Sequence, residues 1–131
     1  MAEEMVVTFP GNLKVTAQIN DMIIATDQPE KSGGDNSAPS PFTLFTASLA
    51  TCAGYFALKF CRSRKIETEG MALTMKYDWD KDLKKYPQMD LELTLPPGFP
   101  DKYRDAIVRA IDQCVVKKHI LDPPDIKVHV I

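Results

Sequence analysis

Phe42-Thr43-Leu44-Phe45-Thr46-Ala47-Ser48-Leu49-Ala50-Thr51-Cys52-Ala53-Gly54-Tyr55-Phe56-Ala57-Leu58-Lys59-Phe60-Cys61-Arg62 is the stretch on which the fold turns. Leu44, Phe45, Leu49, Cys52, Phe56 and Phe60 recur at spacings of mostly three and four, the period of a helix. Ala47, Ala50, Ala53, Tyr55 and Ala57 fill much of the remaining circumference, and no broad charged stripe appears before Lys59. A helix that is apolar or small all round belongs in a core. Ser40 is placed to act as its N-cap, with Pro41 at the first helical position. The run from Phe42 to Leu58 falls short of the about 20 predominantly apolar residues of a membrane span and is interrupted by Thr43, Thr46, Ser48, Thr51 and Gly54. It reads as a buried helix, and no membrane is expected as a partner.

Upstream of this helix, short β-branched and apolar bursts at Val6–Phe9, Leu13–Ala17 and Met22–Ala25 are separated by Pro10-Gly11-Asn12 and Asn20-Asp21. Bursts of this length with turn residues between them predict a three-stranded antiparallel meander. Asp27 to Pro41, with two glycines, three prolines and almost no apolar mass, predicts a loop long enough to have work of its own. Downstream, Met71, Leu73, Met75, Tyr77 and Trp79 alternate, as do Met89, Leu91, Leu93 and Leu95, so two half-buried strands are expected over Ala72–Trp79 and Met89–Leu95. After Pro96-Pro97-Gly98-Phe99-Pro100, a helical stripe of Tyr103, Ile107, Ile111, Cys114 and Val115 predicts one helix from Asp101 to about Leu121. A last strand is expected over Ile126–Val130. The order βββ-α-ββ-α-β is that of an α+β fold in a single domain, residues 1–131, without the βαβ alternation of a parallel sheet.

The chain has 131 residues, 44% of them hydrophobic and 26% charged, and a formal net charge of −2. This suits one globular domain. With a pI near 5.6 and no clustered basic run it lacks the electrostatic footprint of a nucleic-acid binder. The acidic start, Met1-Ala2-Glu3-Glu4-Met5, lacks the basic region of a secretory signal, so the expected compartment is the cytoplasm. GxGxxG, GxxxxGK[ST], GxSxG and HExxH patterns are absent, which removes the usual warrants for dinucleotide, P-loop, hydrolase and zinc-protease chemistry.

Cysteine remains. Cys52, Cys61 and Cys114 form no CxxC pair and no four-ligand zinc pattern. Cys52 lies near the middle of the apolar helix and Cys114 on the apolar stripe of the second, so packing of the two helices would bring their sulfurs together. Cys61, nine positions beyond Cys52, falls about 180° round the helix. On spacing alone each cysteine is equally a small buried hydrophobe. Cys52, Cys114 and His119 as a metal site fit poorly, the separations being irregular and the ligands only three. Tyr55, Phe56, Phe60 and Trp79 are candidates either for an apolar pocket or for plain core.

Gly33-Gly34-Asp35-Asn36-Ser37-Ala38-Pro39-Ser40-Pro41-Phe42, the run from Leu44 through Cys52, and Gln113-Cys114-Val115-Val116-Lys117-Lys118-His119 together resemble the family of osmotically inducible protein C and the organic hydroperoxide resistance proteins. The resemblance spans nearly the whole chain. It implies an intertwined homodimer whose antiparallel sheet surrounds two cysteine-bearing helices. It also implies that Cys52 is a peroxidatic and Cys114 a resolving cysteine, reducing a small-molecule organic hydroperoxide, recycled by an external dithiol reductant and needing no metal or organic cofactor. A non-catalytic, dimeric stress-related binding protein with unactivated thiols is the alternative. Well-studied relatives support the thiolate with an early-strand arginine and a glutamate at the helix start, and many follow the second cysteine with proline. Here the first arginine is Arg62, Phe42 or Thr43 stands where the glutamate would fall, and Val115 follows Cys114. Lys14, Lys117, Lys118 and His119 are the candidate substitute cations, since an ordinary thiol near pKa 8.5 needs support to ionise at neutral pH. Cys114, expected in the second half of its helix, would feel the negative end of the dipole.

Overall fold

The computed structural model describes residues 3–131. They divide into two compact units, one up to Ala47 and one from Ser48 onward. The first unit holds the expected meander: β1 (Val6–Gly11), β2 (Lys14–Ile19) and β3 (Met22–Thr26), antiparallel in the order β1-β2-β3. Thr8 opposes Thr16 and Ile19 opposes Met22, with a bulge in β1 between Thr8 and Gly11. Asn12 and Asn20 adopt left-handed backbone at the two hairpin turns, a conformation asparagine tolerates better than most residues.

The polar loop after β3 is ordered by its own hydrogen bonds. Asp27 is buried, and its carboxylate accepts from the Gln28 N–H at 2.7 Å, the Ser37 N–H at 3.0 Å and the Ser37 hydroxyl at 2.6 Å. These donors, the Ser37 hydroxyl foremost, hold its pKa down at about 2. The Asn12 side chain donates to the Gly33 carbonyl, and Lys14 pairs with Asp35, tying the loop to β2. Gly34 is required here: a Cβ at that position would sit 2.0 Å from the Gln28 carbonyl oxygen.

Helix α1 runs over Pro41–Ser63. The Thr43 N–H donates to the Ser40 hydroxyl at 3.3 Å, so Ser40 caps the helix with Pro41 in its first turn, as the sequence predicts. By length and composition α1 is able to cross a membrane, a test that core helices of soluble proteins also pass. In the second unit its Ala53, Ala57, Phe60 and Cys61 are buried. Strands β4 (Ala72–Tyr77) and β5 (Met89–Thr94) pair antiparallel, and their half-buried residues alternate with exposed ones. Leu73 opposes Leu93 and Met75 opposes Leu91 on the packed face. A short 3-10 turn, Asp101–Tyr103, leads into α2 (Arg104–Ile111). Ile107 of α2 joins Ala57, Phe60 and Cys61 as the centre of the core, with Leu93, Leu95, Phe99 and Tyr103 packed around them.

Two expectations need correction. The helix expected to run unbroken to Leu121 is interrupted after Ile111 and restarts as α3 (Val115–Leu121). The strand expected over Ile126–Val130 forms no ladder among the described residues, and Ile126, Val128 and Val130 are exposed. Alternation marks a segment suited to half-burial, but a strand also needs an edge to bond to. The α+β class is unaffected: the described residues form two small antiparallel sheets and three α-helices.

Candidate active site

The interruption between α2 and α3 builds the site. The Gln113 N–H bonds the Ala110 carbonyl at 3.1 Å and the Cys114 N–H bonds Ile111 at 3.2 Å, a tightening of the kind that ends helices. Cys114 then leaves the helical conformation, with φ −54° and ψ 123°, and becomes the N-cap of α3. Its sulfur accepts the Lys117 N–H at 3.4 Å while its carbonyl takes the first helical bond, from Lys118, at 3.0 Å. Lys117 and Asp112 close an ion pair across the break at 2.9 Å.

A restarted helix has backbone N–H groups in its first turn with no partner inside the helix. Those of Val115 and Val116 act on the Cys52 sulfur, as does the Cys114 thiol. Burial disfavours the Cys52 thiolate, but the Val116 N–H, the Cys114 S–H and the Val115 N–H outweigh it, and the Cys52 pKa lies below the ordinary thiol value. The Cys114 thiol shifts the other way. Burial and the proton it lends to Cys52 push it up, against a partial opposing effect of the Lys117 N–H. Cys52 is part-exposed and Cys114 buried. The arrangement therefore favours a thiolate on the more accessible sulfur and a thiol donor on the sealed one.

The expected pair, Cys52 and Cys114, is thus brought together, whereas Cys61 stands apart. It is fully buried, its sulfur 4.0 Å from that of Met71, and burial raises its pKa despite the nearby Arg64. Cys114 sits at the start of a helix, contrary to the expectation that it lies in the second half of one, so the sign of the dipole effect reverses. Three of the four candidate cations have other engagements: Lys14 with Asp35, Lys117 with Asp112, and the His119 Nδ1 with the Val115 carbonyl at 2.8 Å. Phe56 and Phe60 line a cavity, while Tyr55 and Trp79 are more than half exposed. The N–H donors of Val115 and Val116 were not legible in the sequence, because backbone donors become available only where a helix starts. The one signal was valine in place of proline after Cys114, since proline has no N–H to give.

A family model described as OsmC-like protein matches residues 34–129. The chain is similar in structure to a Psychrobacter arcticus protein described as osmotic-stress-induced and of the detoxification response, at TM-score 0.74 and 24% identity, covering 90% of this chain and 87% of that one. An organic hydroperoxide resistance protein from Elizabethkingia anophelis gives TM-score 0.60 at 18% identity, with 91% and 88% covered. One from Legionella pneumophila gives TM-score 0.56 at 20% identity, with 89% and 88% covered. The curated proteins yield no match.

Proposed function

The chain belongs to the family of OsmC-like proteins, and from that premise we propose that it is a dimeric, cytoplasmic thiol peroxidase that reduces organic hydroperoxides. Membership of the family, and structural similarity to organic hydroperoxide resistance proteins, support a stress-related role. The observation that carries the reading is the restart of the chain as α3 at Cys114, which seals the Cys114 sulfur as the helix cap and turns the first N–H groups of α3 and the Cys114 thiol on the part-exposed Cys52 sulfur.

In this mechanism the Cys52 thiolate attacks the distal oxygen of ROOH. The O–O bond breaks, the alkoxide leaves and takes a proton to become ROH, and Cys52 is left as a sulfenic acid. The charge that had held the Cys114 proton is then gone, and the Lys117 and Val116 N–H groups ease ionisation of Cys114. Its thiolate attacks the Cys52 sulfur, hydroxide leaves as water, and a disulfide forms. An external dithiol reopens it by exchange, being oxidised to its own disulfide. Steady-state consumption of cumene hydroperoxide with a dithiol tests the reading. Saturable turnover that disappears in Cys52→Ser is expected. Wild-type protein that consumes no more peroxide than Cys52→Ser would return the thiols to the status of unactivated core cysteines.

A further inference from the structure

A cavity of about 350 Å³ lies between the C-terminal half of α1 and helix α2. Its apolar lining comes from the Phe56 and Phe60 rings and from Ala106 and Ala110, whose small side chains one turn apart leave the space open. Three cations join them, Lys59, Arg64 and Arg109, and no carboxylate lines the cavity. In a chain with 18 acidic residues and 16 lysines and arginines this is a local inversion of charge. Among the described residues none of the three forms an ion pair, although Lys14, Lys76, Lys117 and Lys127 do so elsewhere.

Two of the three cations lie over aromatic rings. The Arg64 guanidinium lies 3.7 Å from the Phe60 ring centre and 5.3 Å from that of Tyr103, and it donates to the Ser63 hydroxyl at 3.0 Å. The Lys59 ammonium lies 6.0 Å from the Phe56 ring centre. A guanidinium stacked on a ring keeps its edge donors in a planar fork that matches a carboxylate. The span from Phe56 to Ser63 gives about 10 Å of helix face for an apolar tail. A volume of this size stands at the small end of ligand sites.

We propose that this cavity binds a medium-chain monocarboxylate, its head on Lys59, Arg64 and Arg109 and its tail along Phe56 and Phe60. Phe56 is one turn beyond Cys52, and Gln113, also in the lining, directly precedes Cys114, while neither cysteine itself lines the cavity. The proposal concerns the ligand and holds whether or not Cys52 turns over a peroxide. Titration calorimetry of the full chain with decanoate, decanol and acetate tests it. Decanoate is expected to bind at least tenfold tighter than decanol, the discrimination of one charge-assisted contact, and acetate not to bind measurably. Because Arg64 packs on Phe60, the informative variants are at the exposed Lys59 and Arg109: Lys59→Gln and Arg109→Gln should each weaken decanoate about tenfold and leave decanol unchanged. Equal affinities for decanoate and decanol, decanoate binding unaltered in the Lys59→Gln/Arg109→Gln double variant, or no decanoate binding would each overturn it.

Discussion

Val115 acts on the thiol pair through its backbone N–H alone, so a substitution there can delete a donor without touching either sulfur. That group and the Val116 N–H help to hold the Cys52 thiol below its ordinary value. Proline is well suited to the first position of a helix, so Val115→Pro should keep α3 while deleting one donor to the sulfur. The expected outcome is a Cys52 pKa moved upward and a several-fold slower alkylation at neutral pH. Val115→Ala, which keeps the N–H, should leave both unchanged. The pH dependence of Cys52 alkylation by iodoacetamide, followed by peptide mass, measures the difference. Cys52 itself was legible in the sequence as the centre of an apolar helix. The source of its activation was not, since the candidate donors weighed there were charged side chains.

Among the elements, those governed by local pattern were legible and those governed by an interruption were not. The Ser40 cap and the alternation in β4 and β5 follow from neighbours within a few residues. The helix α1 was legible, but not its buried side: Leu49 and Phe60 of the expected stripe are buried, Phe45 is exposed, and Ala53, Ala57 and Cys61 complete the packed face. The break at Cys114 follows from a thiol satisfying the first turn of a new helix, a role usually taken by serine, threonine, aspartate or asparagine. The loop between β3 and α1 was read correctly as polar, but its buried anchor was missed because Asp27 meets its partner Ser37 ten residues on. Two predictions belong to this loop. Gly34→Ala forces its new methyl against the Gln28 carbonyl and should destabilise the protein by about 1–3 kcal/mol, measurable by denaturant unfolding. Asp27 has a folded pKa of about 2 against an ordinary 3.8. Its stabilising effect is therefore complete above pH 3.8 and lost as the pH falls toward 2. Proteolysis within residues 28–39 by an acid-active protease should rise steeply over that window in wild-type protein. In Asp27→Asn, which has no charge to lose there, the rise should be absent.

For the molecule as a whole, the apolar surface of the single chain is the leading observation. Val6, Val7, Phe9, Met22 and Ile23 are each about half exposed or more, and neighbouring strand residues such as Val6 and Val7 point to opposite faces. Ile126, Val128 and Val130 add an exposed apolar tail. A second copy is expected to cover this surface, so light scattering at micromolar concentration should give twice 14.7 kDa, and a monomeric mass would remove the dimer from the account. The central claim, that Cys52 attacks and Cys114 resolves, is tested most directly by one experiment. The protein is reduced, treated with one equivalent of cumene hydroperoxide, alkylated without reductant and mapped by peptide mass. The account predicts a single bridge joining the Cys52 and Cys114 peptides, with Cys61 recovered alkylated once the chain is unfolded. Recovery of all three cysteines alkylated, or a dominant bridge containing Cys61, would contradict it.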